Sequence, residues 1–486
     1  MFFRNLLLIL IVSFVIADAK AQQFSGLKVG DYIGLNSIDL NPALSRTSSL
    51  QWDLNIVGLG LDISNNLLEF PKTSFISFLS SRKSMIENNF DEALEDSDHI
   101  ESMLGLRFLN NENTRAHLEL EVLGPGIMIQ TEKISFSLFS KFRAFTHIND
   151  VPNFARSVYI SDLNSGDSFE LKESNLSYMD WREIGLSIST SFNIDDYSSI
   201  HMGSSVKKLD SYNVLYIKSN QANTATKFND SIHFENANFE NAFFSGLDYD
   251  EELQSYNYDN QKVGQGYAID IGFIYQWKQS RYSDRNQKIG ISFTDIGVIN
   301  YQENGLYQHI TLIDGVIEKS KFLDENLITE LQKELEIDDK NYISLSNKQS
   351  INTPGLMQVF MDTPLTKNWN LRVSIRENIP LFSPIERPSI IMATGYYDRK
   401  WIGASFPVSL HNHQYLRLGA ALRLGPLSIG TDNLVPIFLP TSLRAFNGYF
   451  TLKLNSDMFS FLKRTSYYKG PKSKQGSSKV KCYEWH

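Results

Sequence analysis

Residues 264–277 read GQGYAIDIGFIYQW, and this stretch decides the fold. Tyr267, Ile269, Ile271, Phe273, Tyr275 and Trp277 fall on one face of an extended chain, and Gly266, Ala268, Asp270, Gly272, Ile274 and Gln276 fall on the other. Successive side chains of a strand point to opposite faces, so a sustained period of two marks a strand with one apolar side. Tyr267 and Trp277 are separated by about 34 Å of extended chain. Tilted by about 40°, such a strand rises about 26 Å, close to the roughly 25 Å apolar band of outer-membrane barrels, with an aromatic at each border.

The alternation recurs along the chain. Trp369, Leu371, Val373 and Ile375 alternate with Asn370, Arg372, Ser374 and Arg376. Leu416, Leu418, Leu422 and Leu424 alternate with Arg417, Gly419, Ala421 and Arg423. Ile134, Phe136 and Leu138 oppose Ser135, Ser137, Lys141 and Arg143; Ile184, Leu186 and Ile188 oppose Glu183, Ser187 and Ser189; Phe450, Leu452 and Leu454 oppose Tyr449, Thr451 and Lys453. Roughly 14 to 16 such segments can be counted. They predict an all-β chain: a transmembrane antiparallel β-barrel of about 14 strands over residues 51–459, with long loops and short helical inserts.

Charge follows the same division. An Arg or Lys on the lipid face costs about 2–4 kcal/mol at the midplane, so the charged faces are expected to line the lumen. The candidate lumen residues are Asp270, Arg372, Arg376, Arg417 and Arg423, with Lys141, Arg143, Glu183 and Lys453 on equivalent faces. Two readings are open: these cations pair with lumen carboxylates and plug residues, or they form a basic track that attracts an anionic or amphipathic solute.

The two ends differ from the body. Arg4, the apolar run from Leu6 to Ala17 and the small residues of Ala19-Lys20-Ala21 predict a signal peptide over residues 1–21, cleaved near Ala21. That run is short of the roughly 20 residues a permanent span needs. The single cysteine is Cys482, so no cysteine follows the cleavage site to carry a lipid and no intramolecular disulfide can form. The net charge of −9 divides into +1 over residues 1–21, +6 from Lys463 onward and −16 between them. An acidic body argues against nucleic-acid binding. Residues 460–486, rich in Lys, Ser and Gly, read as a basic disordered tail.

Inserts interrupt the strands. Residues 84–105 and 320–337 are acidic with helical spacing; in the second, Leu323, Leu327, Leu331 and Leu335 form a one-sided stripe. Residues 219–262, rich in Asn, Asp, Phe and Tyr, read as a long surface loop. Its Asp248-Tyr249-Asp250-Glu251-Glu252 cluster lacks the ligand spacing of a calcium loop and reads as solvated charge.

Little in the chain looks like an active site. His411 and His413 lie between two strands with no third ligand placed by spacing. Gly264-Gln265-Gly266 and Gly58-Leu59-Gly60 lack the remainder of a dinucleotide fingerprint. No serine sits in a nucleophile elbow and no zinc-protease helix motif occurs. No catalytic, metal or cofactor-binding residue is assigned, no cofactor is implied, and the expectation is a protein that is not an enzyme.

Several pieces together carry a resemblance. Asn41-Pro42-Ala43 stands in GLNSIDLNPAL, where Pro42 turns the chain away from helix before the first barrel strand. Then come the pattern on Gly264, Gly266, Asp270 and Gly272, an Asp295-Ile296-Gly297 strand stop ahead of Tyr301, and GPLSIGTDN from Gly425. Across residues 24–45 and 264–455 this set resembles a Bacteroidota family of outer-membrane barrels of unknown function. More distantly it resembles the long-chain fatty acid transporter superfamily, which includes the PorV-type barrels of type IX secretion. The resemblance implies about 14 strands in the cell outer membrane, with Asn41, Pro42 and Ala43 in an N-terminal plug-like segment over residues 22–50. The expected role is transport of a small hydrophobic or amphipathic solute, or an accessory role in secretion or outer-membrane assembly. The expected partners are outer-membrane lipid and, for the accessory role, proteins of such a machine. The alternative is a soluble or surface-exposed β-rich binding or adhesion protein.

Overall fold

Fourteen strands close into an antiparallel barrel, at the lower end of the 14 to 16 segments counted from the alternation and in agreement with the number the resemblance implies. The computed structural model describes residues 25–458 except 67, 78–106, 110–114, 150–164, 172, 220–222, 230, 251–254, 259–260, 279–285, 303–304, 319–341 and 380–382. The barrel strands are β1 (Trp52–Asn65), β2 (Arg115–Gln130), β3 (Ile134–Asn149), β4 (Ser174–Asn193), β5 (Ser198–Ser219), β6 (Gly264–Lys278) and β7 (Asn286–Tyr301). They continue as β8 (Leu356–Pro364), β9 (Trp369–Asn378), β10 (Ile390–Asp398), β11 (Ile402–His411), β12 (Tyr415–Leu418 and Ala420–Leu424), β13 (Leu427–Thr431) and β14 (Ala445–Asn455). Each pairs with its neighbours in sequence, and β14 returns to β1 with Asp53 opposite Asn455. Closure leaves no unpaired edge in the barrel.

The period of two sets what each face meets. On β6, Tyr267, Ile269, Ile271, Phe273 and Tyr275 are exposed on the outside, while Gly266, Ala268, Asp270, Gly272 and Ile274 are buried. The same outward band includes Leu186, Val206, Ile291, Val373, Phe406 and Leu422. A continuous apolar belt is the surface of a barrel seated in lipid; in water it would be a large patch open to association. This belt argues against the alternative of a soluble binding protein.

The two ends of the barrel differ. At one end the strands join through tight turns at 131–133, 194–197, 365–368, 399–401 and 425–426. Trp52, Trp277, Trp369 and Trp401 all lie at this end, where Trp369 packs against Tyr397 and Phe406 with ring centroids 5.8 and 6.3 Å apart. At the other end the connections are mostly long, apart from the turn at 412–414 between β11 and β12.

Two expectations are corrected here. Residues 219–262 are not one long loop: they contain the strands Asn223–Lys227, Ser231–Ser245, Leu247–Asp250 and Ser255–Tyr258. The reason is a partner in space, because Ser231–Ser245 pairs with the last residues of the overlong β5 and with the strand Gly305–Glu318. Nor do Asp295-Ile296-Gly297 stop a strand. β7 runs through them to Tyr301, and Asp295 absorbs one extra residue in a bulge opposite Asp270, with φ at 58°. Aspartate tolerates this left-handed backbone better than most residues. The helical readings at 84–105 and 320–337, the signal segment at 1–21 and the tail at 460–486 lie outside the described residues.

Candidate functional site

A ring of 14 strands spaced about 4.8 Å apart and tilted about 40° is roughly 28 Å across between backbones. Wall side chains alone cannot fill that width, so the lumen needs further chain to close it. Two segments supply it.

The first is residues 25–50, at the short-turn end. Wall side chains hold it largely by its main chain. Asp398 accepts from the amides of Asp31 (2.7 Å) and Tyr32 (3.3 Å), Asp53 from that of Leu35 (2.8 Å), and Asp432 from that of Gly26 (3.2 Å). Arg372 donates to the carbonyl of Lys28 at 2.7 Å and Lys453 to that of Ile33 at 2.5 Å. Asn41 donates to the carbonyls of Phe273 and Ile291, at 3.3 and 3.0 Å, while its own oxygen accepts from the amide of Ala43 at 2.9 Å. The wall is cut back to admit this turn. A Cβ at Gly203 would lie 2.5 Å from the Ala43 nitrogen, and one at Gly272 would overlap the Asn41 side chain. Asn41, Pro42 and Ala43 are thus inside the barrel, against β5, β6 and β7.

Above this plug lies a layer of buried ion pairs. Asp295 is its centre: its carboxylate takes Lys207 at 2.6 Å, Arg143 at 2.8 Å and Arg387 at 3.0 Å. Lys207 also meets Asp270 at 2.7 Å, and Asp270 accepts the amide of Asp295 at 2.8 Å. Lys141 bonds Asp39 of the plug and lies 3.7 Å from Glu183; Lys28 of the plug lies 3.4 Å from Asp39 and 3.7 Å from Glu121. Burial holds the Lys28 ammonium below its ordinary pKa. Acids and bases alternate through the layer, so each charge taken from water has an opposite partner.

The second closing segment, residues 383–389, comes from the long-loop end between β9 and β10. It crosses to the opposite side of the ring. The carbonyl of Pro384 accepts from Ser177 on β4 at 2.8 Å and also from Asn175. Ile385 is fully buried in an apolar cluster with Phe145, Trp181, Leu209, Phe244 and Tyr301. Arg387 bonds Glu119 on β2 at 2.7 Å and Asp295 on β7, with its guanidinium 5.2 Å from the Phe145 ring centre.

The ladder of the wall lapses at two prolines among the described residues: at Pro407 opposite Gly419, between β11 and β12, and on β2. On β2, Gly124 and Pro125 pair with neither neighbour: the β1–β2 ladder runs from Asn55 opposite Gly126 to Gly58 opposite Leu123, and the β2–β3 ladder skips from Phe139 to Lys141. Pro125 has no N–H to donate and faces outward, exposed. Inside the break lies a cavity of about 10 Å³, lined by Leu35, Ile38, Asp39, Asn55, Leu123, Phe139 and Lys141. That is room for one water.

The sequence-derived candidates fall as follows. Asp270 belongs to the central layer. Arg372 makes a two-pronged bond to Asp362, at 2.7 and 2.6 Å, as well as its bond to the plug. Arg417 meets Asp62 at 2.9 Å, and Arg423 meets Asp398 at 2.6 Å. Arg376 is half-buried on the same face of β9 as Arg372. Arg372, Arg417 and Arg423 each pair with a carboxylate, and the five candidates do not gather at one point. His411 is buried beside Ser409 at 3.1 Å, while His413 is exposed on the turn. Among the described residues no cluster of three His, Cys, Asp or Glu side chains has the arrangement of a metal site. Sequence reasoning missed Asp39, Glu119, Lys207, Asp295 as a hub, and Arg387. It also passed over Leu123-Gly124-Pro125-Gly126, where a proline inside an alternating run signals a break.

Among solved structures, the chain is similar to the toluene transporter TodX of Pseudomonas putida, at 10% identity over 88% of this chain and 95% of that one, with a TM-score of 0.33. It is similar to the monoaromatic hydrocarbon channel CymD at 9% identity over 90% and 96%, with a TM-score of 0.31. A FadL homologue of Pseudomonas aeruginosa follows at 9% identity over 85% and 91%, with a TM-score of 0.27. No curated protein matches the sequence. Residues 42–432, from the plug turn to the end of β13, match one family model, and the chain belongs to that family, a family of unknown function (DUF5723).

Proposed function

We propose that the protein is a non-enzymatic barrel of the outer membrane that passes a small hydrophobic or amphipathic solute sideways, between the lipid and the lumen, with residues 35–39 of the plug as the moving part. The observation that carries this reading is the lapse in the ladder at Gly124 and Pro125, where only the side chains of Asn55 and Ser140 bond the wall, at 2.8 and 3.0 Å, and a small cavity behind it meets the plug. Leu35, Ile38, Leu123 and Phe139 offer an apolar lining, and Lys141, Asp39 and Asn55 a polar end. The axial route is filled by two segments and an ion layer, so a solute that enters from the membrane meets less obstruction than one that enters from water. The cavity holds one water, so passage requires the plug to yield.

Uptake of radiolabelled laurate and of toluene by cells making the protein tests this. Both the parent and Gly126→Phe are compared, because a side chain at 126 points at Leu35. The expected result is uptake above the empty-vector level that falls several-fold in the variant. If the parent takes up neither probe, the transport reading fails. The accessory role in secretion or assembly then remains, favoured by a lumen closed from both ends, and native-membrane purification would have to recover a protein partner.

A further inference from the structure

The outside of the barrel carries a concentration of charge that has no part in the lumen. Arg182 on β4, Lys208 on β5 and Lys262 just ahead of β6 stand at the long-loop border of the belt, with side chains 54%, 51% and 46% exposed. They converge on one carboxylate, Asp210 of β5, at 3.7, 3.9 and 3.6 Å.

Strand register places this cluster against the belt. Arg182, Asp210 and Gln265 lie side by side on β4, β5 and β6; one step toward mid-height come Ile184, Lys208 and Tyr267, and the next row is Leu186, Val206 and Ile269. Residues directly opposed on neighbouring strands share a face of the sheet, so all three rows are on the outer surface. The lowest row is wholly apolar and exposed, the middle row holds the border aromatic Tyr267, and the uppermost is polar.

Asp210 offsets one of the three positive charges, which leaves an excess of two at the edge of the belt. None of the three contacts is as short as a hydrogen bond, and exposed pairs of this kind hold their side chains weakly. Among the described residues no other carboxylate lies within 4 Å of these cations. Asp180, further up β4, is buried and already accepts from Tyr178, Tyr212 and Asn213. A single Lys or Arg is ordinary at a membrane border, where its stem lies on apolar surface and its head reaches water. Three around one carboxylate repel one another, and an anion seated among them relieves that repulsion.

We propose that Arg182, Lys208 and Lys262 bind the phosphate of a lipid headgroup in the leaflet at the long-loop end, while the acyl chains of that lipid lie along Leu186, Val206 and Ile269. The guanidinium offers a fork to two phosphate oxygens, and the ammonium groups add point charges. Long loops of outer-membrane barrels face the cell exterior, so the leaflet is the outer one. Apolar surface lies immediately below the charge, which favours a lipid over a free anion. Such a site requires only that the barrel sits in a membrane, whatever the lumen does.

Lipid binding to the full-length protein in detergent, followed by native mass spectrometry, tests this. The probes are diphosphorylated lipid A, the same lipid stripped of phosphate, and inorganic phosphate. The parent should bind diphosphorylated lipid A. Arg182→Ala, Lys208→Ala and Lys262→Ala combined should weaken that binding on the order of a hundredfold, about fivefold for each cation lost near a charged headgroup. Asp210→Asn should tighten it about fivefold. Lys133→Ala, Lys278→Ala and Lys400→Ala combined remove the same charge from exposed positions at the short-turn end and should leave affinity unchanged. No binding by the parent, equal binding of the stripped lipid, or equal affinity in the two triple variants overturns the site. Displacement of the lipid by inorganic phosphate at equal concentration overturns the role of the acyl chains. Should the first triple variant fail to fold, Asp210→Asn decides, and unchanged affinity there overturns the proposal.

Discussion

Asp295 and Arg387 meet at 3.0 Å in the lumen, 92 residues apart in sequence, one from a bulge in β7 and the other from a strap that descends between β9 and β10. The bulge makes the contact possible. With φ at 58° at Asp295, β7 takes in one extra residue, the amide of Asp295 turns onto Asp270, and its carboxylate is presented to Arg143, Lys207 and Arg387 together. A local irregularity thereby ties walls from both sides of the barrel to a loop.

Removing that carboxylate strands three cations. Asp295→Ala should lower stability by about 3–5 kcal/mol, the usual cost of deleting one partner of a buried ion pair. Asp295→Asn should cost less, because the amide still accepts hydrogen bonds and asparagine tolerates the left-handed backbone. Urea unfolding in detergent micelles, followed by gel mobility, reads both. Equal loss in the two variants would place the effect in the charge, which both remove, and not in the backbone or the hydrogen bonds.

The cut-back wall beneath the plug turn gives a second test. Gly272→Val drives a side chain into Asn41 and should cost about 1–3 kcal/mol by overpacking, borne by the plug more than by the barrel. Proteolysis within residues 25–50 should accelerate while the barrel keeps its heat-modifiable mobility. Gly395→Val is the control, since a Cβ there meets nothing within 4 Å. A plug no more cleavable in Gly272→Val than in Gly395→Val would contradict this packing.

The belt has a depth, and β6 samples it. Ile271→Arg, near mid-height, should weaken folding into lipid vesicles by about 2–4 kcal/mol, whereas Tyr267→Arg, at the border, should cost about 1 kcal/mol or less. Equal penalties at the two positions would mean the belt is displaced along the strand.

Tryptophan fluorescence reports which end meets the headgroups. Trp369 is 40% exposed and Trp401 48%, both at the short-turn end, whereas Trp181 is 1% exposed inside. Lipids brominated near the headgroup should quench emission strongly in the parent, and Trp369→Phe with Trp401→Phe should remove much of that quenching. Trp181→Phe should leave the quenched fraction unchanged. Loss of quenching in Trp181→Phe instead would turn the barrel wall inside out.

Much of the wall was legible in the linear order of residues. The alternation on Tyr267 to Trp277 and on Trp369 to Arg376 sets strands, an apolar outside and a charged inside, because the side-chain period of a strand is a local property of the backbone. The turn at Asn41-Pro42-Ala43 was legible for the same reason, since Pro42 restricts its own neighbour. Less was legible where a residue's role depends on what ring closure brings opposite it. Asp295-Ile296-Gly297 looked like a strand end and became the centre of the ion layer, because β6 and β3 supply Asp270 and Arg143 across the bulge. Residues 231–245 looked like loop and became strand, because β5 runs beyond the belt and offers its edge. Arg387 carries no motif at all. Which way each strand residue faces follows from period and polarity, and the sequence alone determined it. Which lumen charge meets which partner, and that the lumen is closed from both ends, follows from the roughly 28 Å width of a closed ring. That width leaves a space only distant segments can fill, and only the tertiary structure decided how.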